Sequence, residues 1–231
     1  MTKEKLTKEK LTKVINEIIT QTFEKLKFVY QHHRESSNSA KPIKYEEKQS
    51  RLIFPMYGNH QENKTRISEQ ELRFAFVETF NEYCNNNSLD LFYSVETPTK
   101  GRYSDFKSNP HEDNTYGRSA EFDLVVYNEK MERVCLIEFK ANNADALDHK
   151  KDFVKLDSPT EGADNVQRFF IEVVQSYTEG EGRTTINSLK EKVEQSRDKR
   201  FIFRCYALEG KSQRGKELKD KDGEDISDRF K

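Results

Sequence analysis

The chain has 231 residues, of which 35% are charged and 33% hydrophobic, and this composition predicts one modest core beneath much charged surface. Its 40 Lys and Arg residues against 41 Asp and Glu residues leave a net charge of -1. An overall basic nucleic-acid-binding protein is therefore excluded, and any phosphate-binding surface must be a local patch. No apolar run is long enough to span a bilayer, so we expect a soluble cytoplasmic protein without membrane partners.

The N-terminal segment has the pattern of an amphipathic helix. Apolar residues recur at helical spacing from Leu11 to Val29, which predicts a helical unit over residues 1–35 that packs on the core. The alternative role for its apolar face is dimerisation. Residues 36–66 are polar and predict a connector, which contains a short apolar element ended or bent by Pro55.

A second helix and a strand are predicted next. The helix opens at Ser68, because Glu71 follows it at the spacing of a capping box. The run LDLFYSVET after this helix predicts a strand, and residues 98–117 predict a long polar loop.

The last third of the chain is predicted to be mainly helical. The predicted elements are a helix over residues 144–156, helices over about 165–177 and 185–196, a strand over 200–208 and a charged tail over 209–231.

The three cysteines, Cys84, Cys135 and Cys205, are far apart at apolar positions and lack zinc-site spacing. They predict buried, reduced thiols.

The strongest chemical signal lies in two apolar runs between residues 118 and 143. Asp123 precedes the run LVVY, and Glu138 and Lys140 follow the run VCLI. Strand alternation places Glu121 and Asp123 on one face of the first strand, and likewise Glu138 and Lys140 on the second. If the strands are neighbours, three carboxylates and an amine converge. Buried like charges are costly unless they are paired or hold a metal, and a hard divalent cation would relieve them.

Asp123, followed after a short hairpin by Glu138-Phe139-Lys140, resembles the PD-(D/E)xK signature of restriction-endonuclease-like nucleases. The resemblance covers the segment that we assign to the nuclease-like core, residues 67–208. It implies an α/β fold with an αβββαβ core, whose mixed central sheet is flanked by helices. It also implies a nuclease that uses Mg²⁺ or Mn²⁺ to hydrolyse phosphodiester bonds, most simply a DNA endonuclease.

The resemblance also implies roles for individual residues. Asp123 and Glu138 would bind the metal, the Phe139 carbonyl would complete its shell, and Lys140 would act on the attacking water. The proline that gives the motif its name is replaced by Phe122. An exposed cross-strand pairing of charges is the alternative explanation of the same residues.

Two further glutamates are candidate metal ligands. Nucleases of the resembled family often add a glutamate from the helix before the first strand. Glu69, Glu71 and Glu78 lie on that helix, and we choose Glu71, although its capping-box position gives it a structural alternative. Glu121 would bind a second metal ion or form a salt bridge, and the sequence does not decide between these roles.

Basic residues on two segments are candidate nucleic-acid contacts. Their combination with the aromatic Tyr103 suits phosphate contact and base stacking, and a solvated surface is the alternative. The candidates are Lys100, Arg102 and Arg118 around the predicted loop, and Lys150 and Lys151, with Lys155, on the helix after the motif.

DNA is the expected partner, and a homodimer is plausible because cutting two strands is simplest with two sites. Two other functions stay open on the sequence. One is a non-catalytic module that keeps the fold and binds nucleic acid or a protein, and the other is an RNA nuclease.

Overall fold

The computed structural model describes residues 7–39, 50–54, 67–141, 146–174, 191, 194, 200–208 and 223–230. Within these ranges the chain is an α/β protein, which confirms the predicted class. The helices are α1 (Lys8–Ser39), α2 (Glu69–Asn87) and α3 (Ala146–Asp157). The strands are β1 (Phe92–Ser104), β2 (His111–Glu112), β3 (Arg118–Tyr127), β4 (Arg133–Ala141), β5 (Gln167–Val174), β6 (Ile202–Ala207) and β7 (Glu224–Asp225).

The strands form one mixed sheet of seven strands in the order β2-β1-β3-β4-β5-β6-β7. The first half of the sheet is antiparallel, whereas β4, β5 and β6 run parallel to one another. A parallel pair needs a crossover connection, and α3 lies within the connection from β4 to β5.

Helices cover the two faces of the sheet. Buried residues of α1 and α2 share one apolar cluster with Ile137, Phe139 and Phe169, and the ring of Phe76 of α2 packs against that of Phe139 at a tilt of 60°, with 5.4 Å between ring centroids. Phe153 and Leu156 of α3 share a second cluster with Leu136 and Phe170. No helix among the residues placed here is long and apolar enough to cross a membrane.

The predicted helix over 165–177 is wrong, because residues 167–174 form strand β5. All eight residues of β5 are buried, between β4 on one side and β6 on the other. A strand covered on both faces loses the period of two that identifies half-buried strands, and the polar residues of β5, Gln167, Arg168 and Glu172, do not alternate regularly with its apolar ones. Its apolar run then has the appearance of a buried helix.

Other boundaries differ from the predictions in smaller ways. The predicted loop over 98–117 is partly strand, since β1 continues to Ser104 and β2 follows. The end of the predicted tail contributes β7 and the buried Ile226. Residues 51–54, the part of the short element before Pro55, are described and form neither helix nor strand. The predicted helix over 185–196 falls largely outside the described residues, within which Glu191 and Glu194 are helical.

The cysteines and the capping box have the predicted local structure. Cys84, Cys135 and Cys205 are buried thiols that form no disulfide. The Ser68 backbone N–H donates to Glu71 Oε2 at 2.8 Å at the start of α2, which completes the capping box.

We predict that Ile18→Ala lowers the free energy of unfolding by about 2–5 kcal/mol, because Ile18 of α1 is fully buried in the main cluster. Urea denaturation measures this loss. Gln21→Ala, at an exposed position of the same helix, is the matched control and should have little effect. Equal stability of the two variants would contradict the placement of α1 on the sheet.

Candidate functional site

Strands β3 and β4 separate where the signature residues begin. Their pairing starts at Tyr127 and Arg133 and ends at Leu124 and Ile137. Beyond that point β4 pairs only with β5 on its other side, as far as Ala141. The final residues of β4 therefore have an open edge toward β3.

Asp123 occupies this open edge. Its Oδ2 atom accepts a hydrogen bond of 2.7 Å from the Phe139 backbone N–H, which has lost its strand partner. A side-chain carboxylate thus replaces a missing ladder carbonyl. This contact holds Asp123 beside the segment Glu138-Phe139-Lys140.

Lys140 is a nearly buried cation between two helices. Its Nζ lies 3.0 Å from Asp152 Oδ2 of α3 and 3.2 Å from Glu69 Oε1 of α2. The same Nζ donates to the Phe139 carbonyl at 3.2 Å.

Glu138 is paired with Lys155 of α3, a different lysine from Lys140. Lys155 Nζ of α3 lies 2.7 Å from Glu138 Oε1 and 2.8 Å from Asp152 Oδ1, and it donates to the Glu121 backbone carbonyl at 2.8 Å. Asp152 therefore bridges both lysines. We call the six residues Glu69, Asp123, Glu138, Lys140, Asp152 and Lys155 the carboxylate–lysine cluster.

Burial and charge shift the pKa values of this cluster in different directions. Burial raises the pKa of Glu138 well above its usual value, and Asp152 and Asp123 raise it further against the opposing effect of Lys155. Burial also acts on Asp152, but Lys155 and Lys140 outweigh it and lower the Asp152 pKa. Although burial opposes the charge of Lys140, Asp152 and Glu69 raise its pKa.

The carboxylates of the cluster outnumber its ammonium groups. Its four carboxylates face two ammonium groups, so the fully ionised cluster carries two uncompensated negative charges. Mg²⁺ typically takes one or two protein carboxylates and keeps several waters. Asp123 and Glu138, with the Phe139 carbonyl, supply oxygens of this kind. No group of three or more His, Cys, Asp or Glu side chains within the described ranges is close enough to form a ready-made metal cage.

The structure assigns the two additional glutamates to other contacts. Glu71 belongs to the capping box at Ser68, so the α2 glutamate that reaches the cluster is Glu69 and not Glu71. The exposed Glu121 takes part through its backbone carbonyl, which accepts from Lys155.

Most of the predicted nucleic-acid contacts have exposed side chains. Lys100 and Arg102 of β1 and Arg118 of β3 are exposed, as is Lys150 of α3. Lys151 is half-buried and contributes to the lowered pKa of Asp152.

Lys155 and Tyr103 do not offer the surface contacts that the sequence suggested. The Lys155 side chain is only 4% exposed and is paired inside the cluster. Tyr103 is buried, and its hydroxyl donates to Glu161 Oε1 at 2.7 Å. Neither side chain is available to an external phosphate or base.

The sequence prediction missed Asp152, chose Glu71 in place of the candidate Glu69 and gave Lys155 the wrong environment. A usable signal is present in α3, where His149, Asp152, Phe153 and Leu156 follow the i, i+3, i+4, i+7 spacing of one buried face. The charges of α3 were interpreted as a solvated surface because charged residues are rarely buried without partners.

A buried His–Glu pair also escaped sequence analysis, because β5 was taken for a helix. His149 Nε2 of α3 lies 3.0 Å from Glu172 Oε2 of β5, and both side chains are fully buried. Glu172 is the parallel-register partner of Lys140, so this pair supports the sheet beside the cluster.

Comparison with known proteins finds no relative. No protein-family model, no curated protein and no solved structure matches the chain. The functional argument therefore depends on the geometry and electrostatics of the cluster.

We predict that Glu138→Gln stabilises the metal-free protein at neutral pH. Folding raises the pKa of Glu138 above 4.5, so the stability linked to its protonated form is complete below that pH and is lost as the pH rises through the folded-state pKa. Glutamine stays neutral, so its advantage in urea unfolding with EDTA should grow as the pH rises above 4.5.

Glu121→Gln is the matched control, since the Glu121 side chain is exposed. Its unfolding free energy should differ little from that of the wild type across the same pH range. A Glu138→Gln protein that is equally destabilised at every pH would show that the ion pair with Lys155 outweighs the burial of the charge.

Proposed function

We propose that the chain is a metal-dependent nuclease that hydrolyses phosphodiester bonds, acting as an endonuclease on DNA. The observation that carries the proposal is the open edge of β4, where the Asp123 carboxylate lies against Glu138-Phe139-Lys140. Carboxylates beside a lysine at a strand end are the groups that this hydrolysis needs.

The order of elements supports a restriction-endonuclease-like core. Helix α2 is followed by the long strands β1, β3 and β4, then by α3 and β5, an αβββαβ order in which the short β2 is an insertion. The cluster lies near the carboxyl end of β4, and ligands of open α/β sheets bind outside the carboxyl ends of strands.

In this proposal Asp123, Glu138 and the Phe139 carbonyl hold Mg²⁺ or Mn²⁺. The bound ion would lower the pKa of a water molecule and stabilise the charge that develops on the phosphate. Glu138 is suited to this role because its charge is incompletely compensated in the buried cluster.

Lys140 acts as a fixed cation in this mechanism. Its raised pKa keeps Nζ protonated at neutral pH, so Lys140 stabilises the negative charge of the attacking water and the phosphate by its own positive charge and does not remove a proton as a free amine. Asp152 and Glu69 hold the ammonium in place, because each forms an ion pair with it.

Lys155 and Asp152 are positioning residues. Lys155 holds one oxygen of Glu138, and Asp152 connects Lys155 to Lys140. Such outer contacts orient ligands and commonly change metal affinity or activity by about 10- to 100-fold when they are removed.

A non-catalytic nuclease-like module that binds nucleic acid or a protein is the second candidate. The observation in its favour is the burial of Glu138 and Lys140, which are 1% and 7% exposed and already have internal partners. In such a module the cluster would stabilise the fold, and metal would not be required.

Cleavage assays distinguish the two candidates. The substrates are supercoiled plasmid and labelled single-stranded DNA, each with Mg²⁺, Mn²⁺ or EDTA. We predict metal-dependent cutting that falls by at least about a hundredfold in Glu138→Gln and Lys140→Met, because each change removes one charge-stabilising group. Lys130→Ala, in the exposed β3–β4 turn, is the control and should cut at the wild-type rate.

Metal binding separates the roles of the two groups. Calorimetry should show weaker Mg²⁺ binding by Asp123→Ala and retained binding by Lys140→Met. Cutting by Lys140→Met at the wild-type rate would refute the assigned role of Lys140. A folded wild-type protein that cuts no substrate in any metal would favour the non-catalytic module.

A further inference from the structure

A cleft of about 400 Å³ lies between the loop that follows β1 and the start of β3. Its volume falls within the range of about 300–1,000 Å³ that is usual for pockets that hold small ligands. The residues that line it include Tyr103, Phe106, Lys107, Ser108, Tyr116 and Arg118.

An exposed aromatic ring and an arginine–phenylalanine contact line this cleft. Tyr116 is 88% exposed, so burial does not explain its large ring. The Arg118 guanidinium lies over the Phe106 ring, 4.9 Å from its centroid. Aromatic rings and guanidinium planes are the surfaces on which unpaired nucleic-acid bases stack.

The backbone that carries Tyr116 is held in place before any ligand binds. Asp113 Oδ1 accepts the backbone N–H groups of Tyr116 at 3.0 Å and Thr115 at 3.1 Å. A Cβ atom on Gly117 would lie 2.4 Å from the Asp113 carbonyl and 2.7 Å from the Tyr103 nitrogen, so only glycine allows this close approach. A preorganised cleft loses less entropy when a ligand binds.

Two basic side chains and one acidic side chain, that of Asp105, line the cleft. Lys107 and Arg118 are exposed in the cleft, and Arg102 is exposed on the neighbouring strand. Lys150 of α3 donates to Asn109 Oδ1 of the loop at 2.9 Å, which links the loop to the helix that carries Asp152.

The cleft and the cluster lie on the same strand. Arg118 and Asp123 are five residues apart on β3, a distance of about 16 Å along an extended strand.

We propose that this cleft binds one unpaired base of a single-stranded nucleic acid. The base stacks on Tyr116 and on the Phe106–Arg118 pair, while Lys107 and Arg118 contact the adjoining phosphates. The inference rests on the proposed function for its substrate chemistry, and it adds a preference for single strands or unpaired ends over continuous duplex.

Binding without cleavage tests the proposal. The parent protein carries Glu138→Gln and is kept in EDTA so that it does not cleave, and every variant is made in this parent. Fluorescence anisotropy measures the affinity of each protein for labelled oligo-dT, oligo-U and duplex DNA, each of about 15 nucleotides or base pairs. We expect single strands to bind more tightly than duplex. Tyr116→Ala should weaken single-strand binding by about 5- to 150-fold, and Tyr116→Phe should retain it.

Phe92→Ala is the matched control. Phe92 is 51% exposed at the opposite end of β1, so its removal should leave the affinity unchanged. A second readout uses 2-aminopurine within the oligonucleotide, whose fluorescence should be quenched by the parent protein and not by Tyr116→Ala. The oligo-dT and oligo-U arms show whether the single strand is DNA or RNA.

The outcomes separate this inference from the nuclease proposal. Equal affinity of Tyr116→Ala and the parent, tighter binding of duplex, or no binding of any strand would overturn the cleft assignment. If the wild-type protein shows metal-dependent cutting together with one of these binding results, the nuclease proposal is supported and the cleft proposal is not. If binding depends on Tyr116 but the wild-type protein cuts no substrate with any metal, the cleft proposal is supported and the nuclease proposal is overturned.

Discussion

The burial of four charged side chains at the end of β4, those of Glu138, Lys140, Asp152 and Lys155, is the constraint on which the rest of the structure depends. The partly exposed Glu69 and Asp123 lie beside them. Removing an ion from water costs several kcal/mol even after relaxation, so each member needs partners from another element. Glu69 comes from α2, Asp123 from β3, Glu138 and Lys140 from β4, and Asp152 and Lys155 from α3. The cluster therefore connects both helical layers to the centre of the sheet.

Stability alone gives a weak reason for such a cluster. Well-packed apolar residues often replace buried ion pairs without loss of stability, and sometimes with a gain. The raised pKa of Glu138 shows that the protein retains a carboxylate whose charge is disfavoured by its surroundings. Perturbed groups of this kind concentrate at functional sites, which supports the proposed metal-dependent hydrolysis.

The sequence predicted the part of the site that lies on strands. Asp123, Glu138 and Lys140 were recognisable because charges at the ends of continuous apolar runs stand out from ordinary surface charge. The part that lies on helices was missed. Glu71 has the better sequence signal because it completes a capping box, yet that same hydrogen bond removes it from the site and leaves Glu69 to reach Lys140.

The limits on the fold prediction have a related cause. A helix or strand with one solvent-exposed face has a regular alternation of polar and apolar residues. The sequence predicts α1 and α2 for this reason. Strand β5 is buried on both faces, so its sequence lacks the regular alternation of a half-buried strand. The sequence therefore gave no indication of the buried Glu172, which lies beside Lys140 in the sheet. The spacing of the apolar and charged residues of α3 indicates a buried face, but no local pattern shows that the charges on this face pair with Lys140 and Glu138 of β4.

The position of a bound ion tests the central claim most directly. Crystals of the protein soaked with Mn²⁺ and measured for anomalous scattering should show a peak within about 2.0–2.3 Å of oxygens from Asp123 and Glu138. The peak should be absent from Asp123→Asn crystals treated in the same way. Mn²⁺-soaked wild-type crystals without a peak, in which Lys155 still holds Glu138 and Asp152, would contradict the account and leave the cluster as a structural feature.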